Sequence, residues 1–159
     1  MTRLDRARWL ALLIPAALLG GAYASQYIGG LHPCEMCYWQ RWPHMVAIAL
    51  AIGALALKQT SMSRPLVVLA ALAIAVSGAI GVFHAGVEYG WWPGITGCSA
   101  AMTATNPQDM LAEIMATPLV RCDVPQWTLA GISLAGFNAI LSLGGAAWVA
   151  ALAFGKDRR

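Results

Sequence analysis

Residues 65–85 read PLVVLAALAIAVSGAIGVFHA, an apolar run close to the roughly 20 residues a helix needs to cross the hydrocarbon core of a bilayer. Three further runs of this kind stand in the chain, at about Trp9 to Ile28, Tyr38 to Leu57 and Trp127 to Phe154. No stretch sustains the period-two alternation of a membrane β-barrel. The expected fold is therefore an all-α membrane protein. Its four transmembrane helices (spans 9–28, 38–57, 65–85 and 127–154) form an up-down bundle with a long external loop. Composition points the same way: 59% of residues are hydrophobic and 11% charged, against a usual charged share of about 25%. The 16 glycines suit helices that approach closely in lipid. With 159 residues the chain makes one domain. A net charge of +3, with basic residues beside apolar runs rather than interleaved with aromatics, excludes a nucleic-acid partner.

The basic residues also orient the bundle. Arg3, Arg6 and Arg8 precede the first run, Lys58 and Arg64 separate the second from the third, and Lys156, Arg158 and Arg159 follow the fourth. These segments carry eight of the ten Lys and Arg residues, which marks them as cytoplasmic. The opposite side keeps Arg41 and Arg121 with Glu35, Glu88, Asp109, Glu113 and Asp123. Both termini then lie inside, and external loops 29–37 and 86–126 face outward, into the oxidising periplasm if the membrane is a bacterial inner membrane. Residues 3–24 also read as a secretory signal, with Ala22-Tyr23-Ala24 before Ser25. The apolar run continues to Ile28, which favours an uncleaved span, and either outcome leaves the Cys34 segment outside.

All four cysteines fall in those two outward segments. Cys34-Glu35-Met36-Cys37 closes the short loop after Gly29, Gly30 and Pro33, at the start of the second helix. A helix N-terminus favours thiolate, and a C-x-x-C ring gains little chain-entropy stabilisation, so the bond is labile rather than structural. Cys98 and Cys122 lie in the second loop, some forty residues long, and loops of that length are usually functional. Spacing favours 34–37 and 98–122 among the three possible pairings; a relay would also visit a cross-loop bond such as Cys34 to Cys122. Arg121 and Asp123 push the Cys122 thiol in opposite directions. Within the loop, Gly90-Trp91-Trp92-Pro93-Gly94 reads as an interfacial turn. Asn106 and Pro107 open a short amphipathic helix, residues 107–117, with Met110, Leu111, Ile114 and Met115 at helical spacing. That stripe suits either the membrane surface or packing against the bundle.

Arg41 lies one helical turn beyond Cys37 on the same face. It is read either as an interfacial arginine beside Trp39 and Trp42 or as the group stabilising a Cys37 thiolate and negative charge on an electron acceptor; the adjacent C-x-x-C favours the second. His84 has Glu88 four residues on and is either half of a polar interface pair or a proton donor and quinone contact. His44, one turn after Gln40, carries the same two readings. His32 sits in the loop with at most an electrostatic part. A zinc site on the four sulfurs is disfavoured, because zinc knuckles put C-x-x-C in both halves whereas Cys98 and Cys122 are 24 residues apart. Covalent haem is excluded by Tyr38, where haem attachment needs His. No metal is expected. The remaining alternative is a non-catalytic membrane scaffold or assembly factor with two structural disulfides.

The run Pro33-Cys34-Glu35-Met36-Cys37-Tyr38-Trp39-Gln40-Arg41, the four spans and the separated pair Cys98/Cys122 resemble the disulfide bond formation protein B (DsbB) family across almost the whole chain. The most specific element is C-x-x-C with Arg four positions after its second cysteine. The resemblance implies a quinone-dependent thiol oxidoreductase. A periplasmic thiol oxidase of the DsbA type would attack the Cys98–Cys122 disulfide at Cys98. Cys122 would exchange with Cys34/Cys37, and Cys37 would pass electrons to ubiquinone or menaquinone from the membrane pool, with Arg41 stabilising charge.

Overall fold

The computed structural model describes residues 1–96, 106–116 and 120–155. In chain order the elements are α1 (Arg3–Tyr27), α2 (Glu35–Ala56), α3 (Ser63–Glu88), α4 (Pro107–Ala116), strands β1 (Thr128–Leu129) and β2 (Ile132–Ser133), and α5 (Leu134–Phe154). Among the described residues α1, α3 and α5 are long and apolar enough to cross a membrane. The 22-residue α2 is of similar length, but Gln40, Arg41 and His44 in its first three turns dilute its hydropathy, and it is not among the three.

The long helices pack in a ring. α3 lies against α5 and α2, and α1 closes the circuit against α2 and α5. Alanines make the seam: Ala7, Ala11, Ala47, Ala51, Ala54, Ala70, Ala71 and Ala146 share a buried cluster with Val67, Ile74 and Val149. Small side chains let backbones approach, and dispersion between close helices supplies most of the attraction where lipid tails are as apolar as leucine. Gly81 shows the limit of that approach: a Cβ there would stand 3.0 Å from the Ala135 carbonyl oxygen and the Ala139 nitrogen of α5.

Polar groups mark the two ends. Thr2 caps α1 in a box with Asp5. Arg8, buried, donates to Ser63 Oγ (2.7 Å) and to the Lys58 carbonyl (3.1 Å), tying α1 to the link between α2 and α3. Gly155, after α5, lies against the Arg3 side chain. Arg3, Arg8 and Lys58 thus gather with the end of α5. Cys34, Cys37 and His84 sit at the far ends of α2 and α3.

The fold is mostly helical as expected, with one correction: the run from Trp127 to Phe154 is not one helix. Residues 128–133 form an antiparallel hairpin, pairing Thr128 with Ser133 and Leu129 with Ile132. Ala130 (φ 52°) and Gly131 (φ 79°) are both left-handed, as a tight I′-type hairpin turn demands. Leu129 and Ile132 extended the apolar run and concealed the turn between them. Ser133 then caps α5, its Oγ accepting the Gly136 N–H at 3.1 Å. The other helices begin or end within a few residues of their apolar runs, because polar end turns such as Arg3–Arg8 and Glu88 still complete helical hydrogen bonds. In α4 the Asn106 Oδ1 accepts the Asp109 N–H at 2.8 Å. Among the described side chains of that stripe, Met110, Leu111 and Met115 are 40%, 61% and 80% exposed.

Candidate functional site

Cys34 is the N-cap of α2, with the extended backbone (φ −77°, ψ 175°) usual at that position. Its Sγ accepts the Cys37 N–H at 3.3 Å and lies 3.0 Å from the Cys37 Sγ. Both thiols are free, Cys34 almost fully buried and Cys37 partly open. The expectation that a helix start favours thiolate fails for Cys34. Its hydrogen bond to the Cys37 sulfur, burial and the adjacent Cys37 charge all raise its pKa above the ordinary thiol value. The Cys34 proton therefore bridges the pair and Cys37 holds the electron density.

His84, buried near the end of α3, joins this pair through a defined tautomer. The Gln40 amide nitrogen donates to the Met36 carbonyl (3.1 Å) and so also donates to His84 Nδ1 (2.8 Å). That leaves the His84 hydrogen on Nε2, which faces Cys34 Sγ at 3.5 Å and a Glu88 carboxylate oxygen at 3.7 Å. The His84 N–H is thus shared among the Cys122 backbone carbonyl, the Cys34 sulfur and Glu88. Ser133 hydrogen-bonds the Glu88 carboxyl, whose second oxygen is buried with no partner among the described residues. The three ligand atoms of Cys34, Cys37 and His84 lie within 4.8 Å of one another, close enough to hold a soft metal ion as well as to share protons.

Cys122 packs into the same cluster, with Cys34, Met36 and Val87 buried and Cys37, Phe83 and Val120 at its edge. It is disulfide-bonded, and Thr96 Oγ1 donates to its sulfur at 3.2 Å. Cys98, its expected partner, lies outside the described residues, as do Lys156, Arg158 and Arg159. Arg121 and Asp123 resolve their opposed pulls by pairing with each other through two contacts of 2.8 and 2.6 Å. The Arg121 hydrogen bonds hold the Asp123 carboxyl below its usual range.

Arg41 is buried, which sets aside a snorkelling role. Its guanidinium donates to Gln26 Oε1 (2.6 Å) and the Ala22 carbonyl (3.3 Å), and stacks over Tyr23 and Tyr38 at 4.9 and 5.2 Å from their ring centres. Gln26, Ala22 and Tyr23 of α1 and Tyr38 of α2 thus hold the cation, and Arg41 lines a cavity of about 270 Å³ together with Cys34, Cys37, His84 and Glu88. Ala17, Leu18, Leu134 and Phe137 add apolar wall from α1 and α5, and His32 stands at the rim with its carbonyl taken by Gln126.

Along the cavity wall runs a network of which the sequence reading singled out only Gln40 and His44. Asn138 of α5 donates to Gln40 Oε1 at 2.8 Å, and its Oδ1 faces His44 Nε2 at 3.0 Å, with Ser77 and Ser142 beside them. The signal was present in the sequence. An asparagine and two serines within otherwise apolar spans must hydrogen-bond across helices, since lipid offers no partner.

Residues 5–152 match the family described as Disulfide bond formation protein DsbB. A curated Disulfide bond formation protein B from Chromohalobacter salexigens is 30% identical over 140 residues, 79% of this chain and 81% of that one. An uncharacterised protein of Rickettsia prowazekii is 26% identical over 145 residues, 87% of this chain and 83% of that one. No solved structure matches the chain.

Proposed function

The chain belongs to the DsbB family of disulfide bond formation proteins, and from that membership we propose that it reoxidises a DsbA-type periplasmic dithiol at the expense of a membrane quinone. Family membership makes it a thiol oxidoreductase of disulfide formation; the route and the electron sink are our reading. The partner's thiolate attacks Cys98 of the Cys98–Cys122 disulfide and releases Cys122 as thiolate. Cys122 attacks Cys34 of the oxidised C-x-x-C pair, forming a Cys34–Cys122 bond and freeing Cys37. The partner's second thiol closes its disulfide and releases Cys98. Cys98 then reclaims Cys122, and Cys34 and Cys37 are left as a dithiol. The observation that carries this route is the packing of Cys122 in one cluster with Cys34 and Cys37, on the wall of a cavity of acceptor size.

A quinone bound in that cavity would take up the two electrons and two protons of the dithiol. The chain's residues fit such a group: apolar walls from α1 and α5, the Arg41 cation, and a buried His44 Nδ1 with no partner among the described residues. His84 donates toward the Cys34 sulfur and steadies charge there, and Glu88 beside it is placed to receive a thiol proton. Arg41 favours negative charge at Cys37 and at the acceptor. In this reading α2 is the fourth span and α4 lies on the outer membrane surface through Leu111 and Met115. The cysteine end faces the periplasm of an inner membrane, and the Arg3, Arg8 and Lys58 end faces the cytoplasm.

The test mixes purified protein with a reduced DsbA-type oxidase and decyl-ubiquinone or menadione. One quinol should form per partner disulfide. Cys34→Ser and Cys37→Ser should each cut turnover by at least about 100-fold, and Arg41→Ala should raise the quinone concentration needed. Undiminished turnover in either cysteine variant would reject the route.

A further inference from the structure

The Asn138 side chain fixes the state of a buried histidine that the relay does not use. Its amide nitrogen donates to the Ser77 carbonyl (3.2 Å) and to Gln40 Oε1 (2.8 Å), so the oxygen is the end that faces His44. That oxygen only accepts, and it stands 3.0 Å from His44 Nε2. Ser77 Oγ, also 3.0 Å from Nε2, has its hydrogen committed to the Gln40 carbonyl at 2.8 Å. Nε2 therefore carries the hydrogen, and Nδ1 of the neutral ring presents a bare lone pair. His44 is 3% exposed, lines the cavity, and its Nδ1 has no hydrogen-bond partner among the described residues. A buried polar atom left without a partner is destabilising, which makes this nitrogen a standing demand for a donor.

We infer that His44 accepts a hydrogen bond from a hydroxyl of the reduced acceptor, a quinol, and so makes the cavity bind product more tightly than quinone. This rests on the proposed function. A quinone ring offers oxygens that only accept and gains nothing from a bare nitrogen, whereas a quinol offers O–H. His44 stands one helical turn from Gln40 on α2 and lines the same cavity as Arg41 and Cys37. His44 is a positioning residue here. It shifts the oxidised–reduced balance of the bound ring toward quinol, the direction in which thiol oxidation runs.

The test is equilibrium binding of decyl-ubiquinone and of its hydroquinone, each titrated anaerobically into detergent-solubilised protein and read by tryptophan fluorescence. His44→Phe should weaken hydroquinone binding about tenfold and quinone binding less than about threefold, the size expected for one buried hydrogen bond. His44→Gln, which keeps an accepting oxygen, should recover part of the loss. Equal changes for both ligands, or none, would overturn the inference. If wild-type protein binds neither ligand, the proposed function fails instead. A second measurement needs no substitution. In protein labelled with ¹⁵N-histidine, one ring should keep its Nε2–H tautomer while its Nδ1 resonance moves more with hydroquinone than with quinone. An Nδ1 resonance unmoved by hydroquinone would also overturn it.

Discussion

Cys34 and Cys37 are chemically unequal although only two residues separate them. Cys34 is 5% exposed, and the hydrogen bond to Cys37, followed by burial, raises its pKa. Timed iodoacetamide alkylation of the reduced protein at pH 7.5, mapped by mass spectrometry, should modify Cys37 first; modification of Cys34 first would contradict the arrangement. The sign of the pH dependence follows from the raised value. Cys34 reactivity should keep climbing as pH passes the ordinary thiol range near 8.5 rather than level off. A folded-state thiol above its unfolded value also stabilises the reduced fold fully below that range and loses this contribution as pH rises above it. The C-x-x-C spacing announced the pair and the helix start. It did not announce which sulfur holds the proton, because that depends on the contact between the two sulfurs and on burial of Cys34 against a helix fifty residues away.

At the scale of elements, the contact between α3 and α5 depends on glycine as much as on apolar side chains. Gly81→Ala places a Cβ 3.0 Å from two backbone atoms of α5, which cannot yield as a side-chain tip does. The substitution should cost about 1–3 kcal/mol, read as a lowered melting temperature in detergent. Gly144→Ala on α5 meets nothing within 4 Å and should be neutral or stabilising by up to about 1 kcal/mol, through helix propensity. Equal melting temperatures for the two variants would show that the close approach is not what holds these helices. Element positions were legible because apolar runs of span length admit few alternatives, as for α1 and α3. The hairpin at 128–133 was not. Its turn is Ala-Gly rather than Asn-Gly, and a two-residue strand leaves no periodicity to read.

Across the whole molecule, the basic end and the sulfur end are separated by the full length of the bundle, with Arg8, Ser63 and Lys58 joined at one and Cys34, His84 and Cys122 gathered at the other. An impermeant maleimide applied to intact cells after mild reduction should label the cysteine end, while a cysteine introduced at Lys58 should react only after the membrane is opened. The reverse pattern would invert the topology. That the two cysteine loops share a face was legible from eight clustered cations. That Cys122 reaches the buried Cys34 was not, since it depends on how a long loop folds over the helix ends. This juxtaposition is the centre of the account, and disulfide mapping of the Cys37→Ser variant tests it most directly. With its neighbour removed, the Cys34 thiolate should attack Cys122, and non-reducing mass spectrometry should find a Cys34–Cys122 bond with Cys98 free to alkylate. A variant holding only Cys98–Cys122, with Cys34 alkylated in every preparation, would contradict it.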